Sequence, residues 1–239
     1  MITKRCENTN NDTEVDFSSL CDLEREMHIR ETLIHEVHHR VKNNLQTIES
    51  LLRMDYRRSD SPEAKRALLE ASNRLRSMAV VHEMLSTSHH EELDLLQLIR
   101  NVADQVKNGF IGPDSSFQVN VDGQSQCVDG SKATSIALIV AEITHNSFEH
   151  GFANKDHGSV DITIELQSSV LVVTISDDGI GLPENFSLET STSMGLTLMK
   201  VLAEEDLQGS IEAMSNPEGH GARFRFSTPL SIISPANNK

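Results

Sequence analysis

Between Leu20 and Leu52 the apolar residues return every three or four positions: Leu20, Leu23, Met27, Ile34, Val37, Val41, Leu45, Ile48 and Leu52, with Arg30 filling the one gap. That spacing draws one stripe down a long amphipathic helix, a seam of coiled-coil type that another helix must cover. The stripe runs to about Arg58. There SDSPEA supplies a restart, with Ser61 as N-cap, Pro62 at the first helical position and Glu63 in the first turn. A second stripe follows at Ala64, Leu68, Ala71, Leu75, Met78, His82 and Leu85. Two long helices on a short connection fold back as an antiparallel hairpin, which is half of a bundle. The sequence therefore predicts a dimeric four-helix bundle, with the second hairpin supplied by another copy of the chain.

After TSHHEELD the texture changes. LLQLIRNVADQVKNGF reads as a helix, FQVNVDG as a strand, and SKATSIALIVAEITHNSFEHGF as a buried helix. SVDITIELQSSVLVVTISDDGIGLP alternates as two strands with a turn near Gln167–Ser169. MGLTLMKVLAEEDLQG is a further helix, and SIEAMSN and GARFRFSTPL are the last strands. This order predicts an α+β sandwich with helices on one face of an antiparallel or mixed sheet. The expected organisation is a flexible tail over 1–16, the helical hairpin over 17–88, the α+β domain over 91–230 and a tail over 231–239.

Charge and cysteine usage exclude several classes. Lys and Arg number 21 against 36 Asp and Glu, a net charge of −15. Only the stretch from Arg40 to Arg76 is basic, with nine Lys/Arg against five Asp/Glu, which reads as one face of the helical pair. Nucleic-acid binding needs a broad basic face, so none is expected. The longest apolar run, Ile136–Ile143, contains Glu142, so no membrane insertion is expected, and the first residues lack the apolar centre of a secretory signal. Cys6, Cys21 and Cys127 form no close-spaced pair, against a disulfide scaffold or zinc ribbon. A reducing, cytoplasmic setting is expected.

Two constellations carry chemistry. The first is HEVHHRVKNNLQ on the first long helix. With about 100° per residue, His38 flanks the bundle interior while His39 faces water with Asn43 and Gln46. A histidine on the outer face of a rigid bundle suits a nucleophile that meets two partners in turn. The run also matches the zinc-binding pattern H-E-x-x-H, but it lacks a third ligand and a cleft. Plain solvated helix histidines are the bland alternative, and His82 reads as a packed core histidine.

The second constellation is spread over the α+β domain. Glu142, Asn146 and His150 are four apart, hence on one helix face. An amide oxygen such as that of Asn146 is a hard ligand suited to Mg²⁺. Asp177-Asp178-Gly179-Ile180-Gly181 ends a strand, where a carboxylate accepts from an exocyclic amine while glycines admit a flat base. Ser193-Met194-Gly195-Leu196 opens a helix, whose free N–H groups favour phosphate. Gly219-His220-Gly221 precedes the last strand.

HEVHHRVKNNLQTIESLL resembles the H-box of sensor histidine kinases of two-component systems, in the HWE-related subfamily whose acceptor is followed by R-x-K-N-N-L. ALIVAEITHNSFEHGF is similar to their N-box, SDDGIGLP to the G1 box, SMGLTLMKVL to the G2 box and GHGARFRF to the final glycine motif. The resemblance covers about residues 25–230. It implies a dimerisation and phosphotransfer hairpin followed by an ATP-binding domain of the Bergerat type. It further implies His39 as the phosphoacceptor, Asn146 as Mg²⁺ ligand with Glu142 near the same ion, and Asp177 as the adenine reader. Gly179 and Gly181 would lie against the base, His150 near the nucleotide, and Ser193, Met194, Gly195, Leu196, Gly219 and Gly221 around it. Lys42 and Asn43 would position the acceptor ring and the incoming phosphate. The pattern departs from the family in having Ser193 where many kinases have Gly, a short lid over 183–192 and no separate phenylalanine box. Arg40 stands where other subfamilies place an acid, which leaves Glu36 and Glu142 as candidate bases.

The implied function is transfer of a phosphoryl group from MgATP to His39 in a homodimer, then to an aspartate of a response-regulator receiver domain. The basic stretch Arg53–Arg76 would help dock that acidic partner. The competing reading is a degenerate nucleotide-binding scaffold without phosphotransfer. The stretch before His39 is too short for a sensory domain, which implies a separate sensory protein or a shortened kinase core.

Overall fold

Helix α1, Phe17–Arg58, spans 42 residues, and after a three-residue break α2, Pro62–Leu85, returns beside it. The break is set locally: the Ser61 side chain accepts from Ala64 N, and Pro62 costs nothing at a position whose N–H has no helical partner. This computed structural model describes residues 17–86, 92–110, 116–153, 155–191, 193–217 and 219–235, with side chains from residue 33 onward. The expected tail over 1–16, and the side chains of Leu20, Leu23, Met27 and Arg30, lie outside the described residues. Contacts along the hairpin fix its register: His38 meets His82, Lys42 meets Glu83, and Glu49 meets Ser72 and Arg76.

The apolar stripe of α1 divides. Ile34, Val41 and Leu45 are partly covered, but Leu33, Val37, Ile48, Leu51 and Met54 are exposed, Leu33 at 61% and Val37 at 56%. Val37 and Ile48, which the sequence places in one seam with the covered residues, thus lie on a margin that α2 does not reach.

The second unit is built on a five-stranded sheet in the order β2-β4-β5-β7-β6. Its strands are β2 (Ser116–Gly123), β4 (His157–Gln167), β5 (Val170–Asp177), β6 (Ser210–Ser215) and β7 (Ala222–Pro229). The β2–β4 pair is parallel and the other three pairs are antiparallel, so the sheet is mixed. Residues alternate buried and exposed along β4, and buried and half-buried along β7, which places the core on one face. That face is covered by α3 (Leu95–Asn108), α4 (Gly130–Asn146) and α5 (Met194–Val201). A short pair, β1 (Glu92–Asp94) with β3 (Cys127–Asp129), lies beside it and was not legible in the sequence. A final turn, α6 (Leu230–Ile233), buries Ile233 completely, so the packed chain runs past 230 into the segment expected to be tail. No helix among the described residues is long and apolar enough to cross a membrane.

Candidate phosphoacceptor and nucleotide site

The hairpin presents its histidines as two unlike neighbours. His38 is half-buried with its Nδ1 3.0 Å from Nδ1 of His82. His39 is exposed, with Nδ1 3.4 Å from Nδ2 of Asn43 one turn on. The other residues expected at the acceptor are committed elsewhere: Lys42 pairs with Glu83 at 2.6 Å, and Glu36 with Arg40 at 2.7 Å. Burial, reinforced by the neighbouring His38, lowers the pKa of His82 below that of a free imidazole.

In the α+β domain the expected residues converge where α4 meets the end of β5. Asp177 is 4% exposed, and its carboxylate accepts from Ser147 Oγ at 2.9 Å, Gly179 N at 2.9 Å and Ala222 N at 3.0 Å. A carboxylate offers four acceptor positions, so one remains for an outside donor such as an exocyclic amine. The backbone closes tightly around it. A Cβ at Gly179 would lie 2.5 Å from the Gly151 carbonyl oxygen, and one at Gly221, whose φ is +110°, would overlap the Asp177 carbonyl. Gly219 meets no such crowding. Asp178 faces away, its carboxylate taking Ser159 N at 2.8 Å, which ties β4 to β5.

Helix α4 does not continue as α. Residues Ser147–Gly151 form a π turn, and a second π turn, Leu202–Asp206, follows α5. The first one shifts the helix phase and brings Gly151 against Asp177, 3.3 Å from a Cβ built on that glycine to Oδ1. Asn146, at the start of this turn, makes no capping hydrogen bond with its side chain. Its uncommitted amide fits a single protein ligand to Mg²⁺, an ion that keeps most of its shell for water and phosphate. Glu142, one turn earlier, is not free in the same way: Arg74 of α2 holds it, Nε to Oε1 at 2.6 Å. His150 is exposed. At the far side Ser193 caps α5 by accepting from Leu196 N at 3.3 Å, so its hydroxyl organises the helix start, with Met194 exposed beside it.

Residues 36–110 match the family described as histidine kinase, and residues 131–232 match the histidine kinase-, DNA gyrase B- and HSP90-like ATPase family. The chain belongs to the histidine kinase family. The sensor histidine kinase PdtaS of Mycolicibacterium smegmatis is 37% identical over 205 residues, 85% of this chain and 41% of that protein. PdtaS of Mycobacterium tuberculosis is also 37% identical, over 82% of this chain and 39% of the relative. The chain thus spans about two fifths of the length of these relatives. Among solved structures, the histidine kinase domain of the Erythrobacter litoralis EL346 blue-light activated histidine kinase has the same fold, with a TM-score of 0.61 at 23% identity. It covers 84% of this chain and 95% of that one.

Within this site the sequence reading missed four contributors. Ser147 and Gly151 complete the setting of Asp177, Arg74 holds Glu142, and His145 sits between Phe110 and Glu149. Burial lowers the His145 pKa, outweighing Glu149, Glu142 and Glu70, which act in the opposite direction. Only Ser147 carried a signal, as a small polar residue inside the segment similar to the N-box.

Proposed function

We propose that this chain is the kinase core of a two-component system. MgATP binds between α4 and the end of β5, and its γ-phosphoryl group passes to Nε2 of His39. A response-regulator aspartate then takes it. The observation that carries this reading is the pairing, on one chain, of an exposed histidine on a rigid hairpin with a buried carboxylate that keeps one acceptor position open.

Attack through Nε2 needs the ring proton on Nδ1. Turning the Asn43 amide by half a revolution puts its oxygen where the nitrogen now lies, so that it accepts this proton and leaves the Nε2 lone pair facing solvent. Transfer forms the N–P bond as the bond to the ADP oxygen breaks, and the Nδ1 proton then leaves the cationic ring. Asn146 would hold Mg²⁺, which neutralises phosphate charge, so positioning carries most of the catalysis. Asp177 would read the adenine amine. The exposed margin of Leu33, Val37, Ile48, Leu51 and Met54 supports a homodimer through α1.

The test is incubation of the chain and its His39→Gln variant with γ-labelled MgATP. Label that survives alkali, is lost in acid and is absent from the variant is expected. Nucleotide binding with no label in the parent would favour the scaffold.

A further inference from the structure

Helix α2 meets the ATP-binding domain at two places. Near its C-terminal end, Val81 and Leu85 are buried in the domain core. Two to three turns earlier, Arg74 forks onto Glu142 of α4, Nε to Oε1 at 2.6 Å and Nη2 to Oε2 at 3.4 Å, with the two side chains only 15% and 13% exposed. Around Arg74 the two surfaces do not fit closely. A cavity of about 260 Å³ separates α2 from α3 and α4, bordered by Asn73, Ser77, Phe110 and His145. Gln105 Oε1 is buried beside it without a hydrogen-bond partner. A permanent interface packs such space closed; here a charged pair borders the gap.

The register shows what is held where. His38 and Lys42 meet His82 and Glu83, so His39 stands level with the end of α2. Arg74 is eight residues before His82, about 12 Å along the helix axis. Gly195, at the start of α5, lies directly over the pair: a Cβ there would sit 2.5 Å from Glu142 Oε2 and 3.8 Å from Arg74 Nη2. The end of the site read above as the phosphate end therefore faces Arg74 rather than His39.

We propose that the Arg74–Glu142 pair is a catch that parks the ATP-binding domain short of the phosphoacceptor, and that nucleotide phosphates open it. A guanidinium binds phosphate with the same two-pronged geometry it uses for carboxylate. A γ-phosphate arriving at the start of α5 competes with Glu142 for Arg74, and the domain is then held by the apolar contacts of Val80, Val81, Met84 and Leu85. Glu142 is released by the same event. The inference rests on the nucleotide reading of this site, so its test reads domain position as well as activity.

The experiment measures a spin-label distance in the whole chain. Labels are carried by Asp55→Cys on α1 and Glu204→Cys on the ATP-binding domain, with Cys6→Ser, Cys21→Ser and Cys127→Ser. Dilution with unlabelled chain restricts each distance to one molecule. Without nucleotide the parent is expected to give one narrow distance. A non-hydrolysable MgATP analogue should shift it by on the order of 10 Å, the axial gap to His39. Arg74→Ala and, separately, Glu142→Gln should lose the narrow distance with no nucleotide present, and the exchange Arg74→Glu with Glu142→Arg should restore it. A narrow distance unchanged in both single variants, or unmoved by the analogue in the parent, overturns the proposal. Failure of the kinase reading shows separately, as absence of acid-labile label on the parent while the nucleotide-free distances behave as stated.

Discussion

Asp177 spends three of its four acceptor positions on Ser147, Gly179 and Ala222, and this fixes what its substitution does. Asp177→Asn turns one oxygen into a donor facing donors, and also removes the charge that favours an amine. Nucleotide affinity is expected to fall by about 100-fold, near 3 kcal/mol, by titration with a fluorescent ATP analogue. A fall under threefold would remove Asp177 from base recognition. At this scale the sequence was informative where a residue type is itself the signal. A carboxylate followed by two glycines at a strand end is legible, as is an asparagine on an otherwise apolar helix. Gly151 was not, because nine residues after Glu142 an α-helix would point it to the opposite side. Only the π turn brings it to Asp177. Arg74 was illegible for another reason: nothing local distinguishes an arginine that reaches a second domain from one in solvent.

Among the elements, the hairpin carries a titratable pair where most bundles carry aliphatic residues. His82 faces His38 from α1, with the Lys42–Glu83 ion pair beside it. Its pKa is lowered in the folded chain, so around and below the ordinary histidine value of about 6.5 the unfolded chain binds the proton more readily. Its contribution is thus absent at neutral pH, and stability falls as pH drops through the unfolded value. The half-buried His145 adds in the same direction. The melting temperature is expected to drop between pH 7.5 and 5.5, and His82→Leu should reduce that drop; an equal drop in the variant would assign it elsewhere. The helices themselves were readable from spacing, and Ser61-Pro62 gave their junction. The spacing did not reveal which flank of α1 meets α2, since Val37 and Val41 satisfy the same periodicity. The three-residue strands β1 and β3 are too short to show any alternation.

For the whole molecule, the exposed margin of α1 is the feature with the largest consequence. Five large apolar side chains between Leu33 and Met54 face outward from a hairpin that covers only the other half of the stripe. Ile48→Glu with Leu51→Glu is expected to convert a dimer to a monomer by sedimentation velocity at micromolar concentration, with the helical signal retained. A parent that sediments as a monomer at the same concentration would contradict the homodimer. The basic stretch along the hairpin is largely internal business. Arg53 and Arg76 share Glu49, Arg74 holds Glu142 and Lys65 lies over the Tyr56 ring, while Arg57, Arg58 and Arg66 are exposed to an acidic partner.

The π turn over Ser147–Gly151 makes this edge of the fold sensitive to length rather than to composition. A turn that holds one residue more than an α-helix can lose that residue and still be helical, and the chain would close without a break. Every group beyond the deletion would then be rotated by about 100°, carrying Gly151 off Asp177 while leaving the sheet intact. Many side-chain exchanges at 149 and 150 should leave the carboxylate pocket formed, whereas removal of any single residue from the turn should empty it of its glycine wall. Natural variation in this chain would therefore be free in kind at Glu149 and His150 but fixed in number across the five positions.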